Sequence, residues 1–102
     1  MLAKLKSEEA RRILSNTPPD KAFWVNNGPV LKNIIELAAA AKKLTEQQFA
    51  HHVNKAKNDF AKWVDEVIRD SELAKQLRRI KTKDDIAHIV TNRLRQLQKL
   101  LR

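Results

Sequence analysis

Apolar residues recur at steps of three and four through most of this chain and are densest between Phe49 and Asp70. Phe49, Val53, Ala56, Phe60, Trp63 and Val67 would share one face of a continuous helix. That spacing predicts a core centred on Phe60 and Trp63, with Phe49, Val53 and Val67 beside them. Asn54 and Asn58 interrupt the run. Both suit a helix start better than a helix interior, so a break is expected near 54–58, with Asn58 or Asp59 capping a new helix that carries Phe60, Trp63, Val64, Val67 and Ile68.

Upstream, residues 3–15 suit a short helix with Leu2, Leu5, Ala10, Ile13 and Leu14 facing inward. Asn16-Thr17-Pro18-Pro19 halts it in a stiff extended link, so residues 1–17 could form an arm apart from a domain at 18–102. Ala22 to Val25 is the one aromatic-rich extended run, a plug anchored by Phe23 or Trp24 with no evident partner strand. An aromatic beside a turn could instead stack on a base. Asn26-Asn27-Gly28 reads as a turn in which Gly28 can take positive φ, and Pro29 as the first position of a helix over 30–44 with Leu31, Ile34, Ile35, Ala38 and Ala41 inward.

Thr45 and Gln48 have the form of a capping box at the head of the central segment. Further on, Asp70 with Ser71 can cap a helix whose Leu73, Ala74, Leu77 and Ile80 face inward, and Thr82 can cap a last helix with Asp84 and Asp85 in its first turn. Val90, Leu94, Leu97 and Leu101 repeat along that helix as a seam of about two heptads, able to pack within the chain or against a second copy.

Composition sharpens the fold class. One Gly and three Pro in 102 residues leave few places to turn, which points to an all-α chain: a compact bundle of five or six short helices ending in a basic C-terminal helix over 83–102. The absence of Cys excludes disulfides, thiolate nucleophiles and zinc ribbons. No apolar run approaches the length of a membrane span, so a soluble, cytoplasmic protein is expected.

The central residues carry a family resemblance. His52-Val53-Asn54, Lys57-Asn58-Asp59-Phe60-Ala61, Trp63-Val64, Val67, Asp70 and Leu73-Ala74 resemble a small helical domain family of unknown function that is widespread in archaea and little-studied bacterial lineages. The resemblance reaches upstream to Phe23 and Gly28 and implies a compact helical module with no assigned activity. This chain departs from the family pattern at Lys62, where a small polar residue is common, and at Arg69, where Gly is common.

Candidate chemistry is sparse. His51 and His52 point about 100° apart on a helix and cannot share a metal ion in the i,i+4 manner. His52 and Asp59 could meet across the helix break, with Asp59 fixing the histidine tautomer, but no third ligand follows. Neither a nucleophile-elbow motif nor a Gly-rich phosphate loop occurs, so no metal, cofactor, small-molecule substrate or catalytic residue is expected.

Charge is the stronger signal. The net charge is +9, and residues 71–102 hold nine basic and three acidic side chains against seven and six in residues 29–70. Such an excess favours the phosphate backbone of DNA or RNA, gripped by counterion release with little base selectivity. Lys75, Arg78, Arg79, Lys81, Lys83, Arg95, Lys99 and Arg102 are the expected contacts, with Arg93 on the same helix. The alternative is a protein-interaction module, or a homodimer joined through the Val90, Leu94, Leu97, Leu101 seam.

Overall fold

The computed structural model of the chain describes residues 2–101, and side chains from residue 6 onward. Six α-helices and one two-stranded hairpin occur among the described residues: α1 (Leu2–Leu14), β1 (Phe23–Trp24), β2 (Val30–Leu31), α2 (Ile34–Ala41), α3 (Glu46–His52), α4 (Asp59–Trp63), α5 (Ser71–Leu77) and α6 (Lys83–Lys99). A 3₁₀ turn at Pro19–Lys21 begins on the second proline, at the end of the link expected to be extended. No described helix is long and apolar enough to cross a membrane.

Short polar side chains start the helices. Thr45 and Thr82 each form a reciprocal capping box, with Gln48 and Asp85 reaching back to the cap residue's own N–H. Asn33, Asn58 and Asp70 accept from the backbone N–H three residues on, satisfying donors that have no partner inside the helix. The cap at Asn33 corrects the helix expected from Pro29. Val30 and Leu31 instead pair antiparallel with Trp24 and Phe23, so the aromatic run has its partner strand directly across the Asn26-Asn27-Gly28 turn. Asn27 holds the positive φ of that turn, at 54°, and Gly28 does not. Gly28 is needed for space, since a Cβ there would lie 2.9 Å from Val25 Cγ1.

Alternation along β1 sends Phe23 inward and Trp24 out. Phe23 stacks on Phe60, with ring centroids 4.8 Å apart, and meets the edge of Trp63 at 5.6 Å. Phe60 and Trp63 are buried, while Phe49, Val53 and Val67 are half-buried and pack against the core. α4 continues into a π-helical turn at Val64–Ile68, which ends on Arg69 in the left-handed region at φ 64°.

α6 is the shared element: α1, α2 and α5 all pack on it. Its fully buried Ile86, Val90 and Leu97 meet the buried Ala10 and Ile13 of α1 and Leu37 of α2 in one core. Val90 and Leu97 are therefore taken up inside the chain, Leu94 is partly so, and Leu101 alone of the expected seam is exposed. That leaves no continuous apolar seam for a second copy. α1 is docked rather than a free arm. The Arg12 guanidinium donates to Ile68 O at 2.9 Å and Arg69 O at 2.8 Å, tying α1 to the carbonyls that end the π turn, and Ser7 Oγ donates to Leu100 O. The Leu2 and Leu5 side chains lie outside those described.

Candidate functional site

The break between α3 and α4 builds a basic groove. Val53 and Asn58 form a one-residue antiparallel bridge that closes the loop between them, and Asn54 folds that loop by accepting from Ala56 N–H at 2.9 Å and bonding Lys57 through the backbone. Lys55 and Lys57 project from this tight turn. Asn58 then caps α4 through Ala61 N–H and donates its side-chain amide to Leu77 O at 2.8 Å, drawing the end of α5 against the turn. Lys62 of α4 and Arg78 and Ile80 beyond α5 complete the lining of a groove of about 420 Å³. Four cations and no carboxylate line it.

The carboxylates nearest in sequence pair with two of these cations or lie beneath Arg93. Asp59 Oδ2 accepts from His52 Nδ1 at 3.0 Å and from Lys57 Nζ at 2.9 Å. Burial acts to raise the Asp59 pKa, but the bonds from His52 and Lys57 outweigh it and hold the carboxyl below its usual range. Asp65 pairs with Arg78 at 2.9 Å. Asp70 is buried under Arg93. Among the described residues, Lys55 and Lys62 form no ion pair.

His52 is buried against Phe23 and Phe60 with both ring nitrogens engaged. Nε2 accepts from the Asn26 N–H at 3.0 Å, so the ring proton sits on Nδ1 and is donated to Asp59. Neither nitrogen is left to act as a base or ligand. The pair serves to fasten the hairpin turn to the head of α4. Among the described residues, no group of three His, Asp or Glu side chains is placed to hold a metal ion.

The structure separates the cations expected from sequence. Arg78 lines the groove, and Arg79 and Lys81, both exposed, flank Ile80 at its edge. Lys75 is exposed on α5, and Lys83 is half-buried at the start of α6. Arg95 and Lys99 lie toward the other end of α6, with Lys99 about 24 Å from Lys83 at 1.5 Å per residue. Arg95 borders a second groove with Lys42, His88 and Asp84. Arg102 lies outside the described residues. Arg93 is removed from the basic surface by its pairing with Asp70.

Lys55, Lys57 and Lys62 are the groove residues that sequence reading passed over. Their segment is nearly neutral in sum, but Asp59 and Asp65 pair with Lys57 and Arg78 and Asp70 with Arg93, which leaves Lys55 and Lys62 without an ion pair among the described residues. The departure at Lys62 from the resembled pattern was the available signal.

The model of DUF5752, a family of unknown function, matches residues 41–101. That span contains the helix break, the groove and all of α6. No curated protein and no solved structure matches the chain.

Proposed function

We propose that this chain, which belongs to DUF5752, a family of unknown function, is a non-enzymatic binding protein that grips the phosphate backbone of DNA or RNA with little sequence preference. The observation that carries the reading is the groove at the α3–α4 break, lined by Lys55, Lys57, Lys62 and Arg78, in which Lys57 and Arg78 are paired with Asp59 and Asp65 while Lys55 and Lys62 form no ion pair among the described residues. Arg79 and Lys81 extend the positive surface from its edge. The backbone that carries these cations is fixed by the Val53–Asn58 bridge and the Asn58 cap, and each phosphate they neutralise releases condensed counterions.

Sequence-independent contact follows from the side chains available. Lysines dominate the groove, and a lysine meets a phosphate as a point charge, without the forked geometry that reads a guanine edge. Arg95 and Lys99, farther along α6, suit a second contact with the same extended polyanion. Binding of random-sequence DNA and RNA at two salt concentrations tests the reading: affinity is expected to fall steeply with salt, and charge reversal at Lys62 and Arg78 to weaken every sequence alike.

A further inference from the structure

The chain has two tryptophans, and the fold treats them oppositely. Trp63 is buried, with its indole N–H donated to Lys21 O at 2.8 Å. Trp24 is 73% exposed, the most exposed of the large apolar side chains described. Its backbone is fixed, because β1 pairs with β2 and the turn between them is bonded to His52 and to Gln48. A large flat ring is thus held in solvent on a rigid support. Val30, its cross-strand partner, is exposed on the same side.

We propose that Trp24 is a stacking platform for one base of a single-stranded nucleic acid whose phosphates lie along the basic groove. This rests on the backbone-binding reading above and names the form of the substrate. The bond from Trp63 Nε1 to Lys21 O joins the segment carrying Trp24 directly to α4, which carries Lys62, so ring and groove stand on connected backbone. Lys21, in the same segment as Trp24, and Lys62, in the groove, are both exposed. A base has a π face whatever its identity, so stacking adds affinity without sequence readout. Bases inside a duplex are already stacked, and the ring gains nothing from them.

Size argues against a protein occupant. A stable protein interface buries about 800 Å² per partner, whereas one tryptophan supplies about 150–250 Å². The exposed apolar surface of the hairpin amounts to Trp24 and Val30. One exposed aromatic ring on a strongly basic chain matches a base and its phosphates.

The test is titration of the full chain with labelled oligothymidylate and with the duplex it forms with oligoadenylate, for the native protein, Trp24→Ala, Trp24→Phe and Lys62→Glu. Trp24→Ala is expected to weaken single-strand binding roughly five- to a hundredfold while moving duplex binding by less than about twofold. Trp24→Phe should restore most of the loss, and the ratio of native to Trp24→Ala affinity should hold as salt rises. Lys62→Glu should weaken both forms and flatten the salt dependence. Single-strand affinity unchanged in Trp24→Ala, with Lys62→Glu still weakened, overturns the platform and leaves the backbone reading standing. Failure of the native protein to bind either form overturns both. A self-association in the native protein that Trp24→Ala abolishes also overturns the platform, because the ring is then covered by another copy.

Discussion

Arg93 grips Asp70 with two parallel bonds, Nε to Oδ2 at 2.7 Å and Nη2 to Oδ1 at 3.0 Å, although the two residues are 23 positions apart. Asp70 is 2% exposed and its Oδ1 also caps α5 through Leu73 N–H. The pair clamps α6 to the start of α5. Removing the guanidinium would leave a buried carboxylate without its counter-charge, so Arg93→Ala is expected to cost about 3–5 kcal/mol. Arg93→Lys keeps the charge but loses the fork, and should fall between the two. Urea unfolding of the three proteins checks the order.

Asp59 makes stability depend on acid pH. Its folded-state pKa lies below the ordinary value because the bonds from His52 and Lys57 outweigh burial. A depressed carboxylate contributes stability that is complete above its unfolded pKa, about 3.9, and is lost as pH falls through the lower folded value. Urea midpoints of the native protein and Asp59→Asn should therefore differ most near neutrality and converge as pH drops below about 4. A gap that stays constant through that range would contradict the assignment.

Arg69 occupies a left-handed position, φ 64°, where its side chain meets a steric penalty that glycine does not. Its contact with Arg12 runs through the backbone carbonyl and survives substitution. Arg69→Gly is expected to raise stability by about 0.5–1 kcal/mol, the relief of about 1–2 kcal/mol being partly offset by a freer unfolded chain. Thermal unfolding checks the sign.

The helix starts were legible in the sequence because caps are local. Thr45, Asn58, Asp70 and Thr82 each announce themselves within four residues, and the break at Asn54–Asn58 followed from two asparagines in an apolar run. What was misread depends on contacts between distant residues. Pro29 fits a helix start by its own chemistry, yet Val30 and Leu31 are claimed by strand pairing with Phe23 and Trp24. Phe23 and Trp24 are both large and aromatic, and the strand's alternation decides which faces the core. Arg93 looks like any cation on the flank of α6 until Asp70 is brought beneath it. Lys55 and Lys62 were not among the expected contacts because the sum of charge along a segment does not show which cations its acids pair with.

The repeat in α6 gives a contrast between two leucines. Leu97 is buried at 1% exposure and Leu101 is 39% exposed. Leu97→Asp places an unpaired charge in the core and is expected to unfold the chain. Leu101→Asp should stay folded, with a change within about 0.5 kcal/mol. Circular dichroism separates these outcomes, and loss of a dimer with the fold intact in Leu97→Asp would show that the seam serves a second copy.

The central claim concerns the groove at the α3–α4 break. About five cations contacting phosphates imply a slope near −4.5 for log affinity against log salt on duplex DNA, or about a 500-fold loss between about 50 and about 200 mM salt. The most direct test measures that slope with random-sequence duplex for the native protein and for Lys62→Glu/Arg78→Glu. The expected result is a steep native slope that becomes shallower by about 2 in the double variant, with weaker binding at every salt concentration. A native slope near zero, or one that the double variant leaves unchanged, would contradict the account.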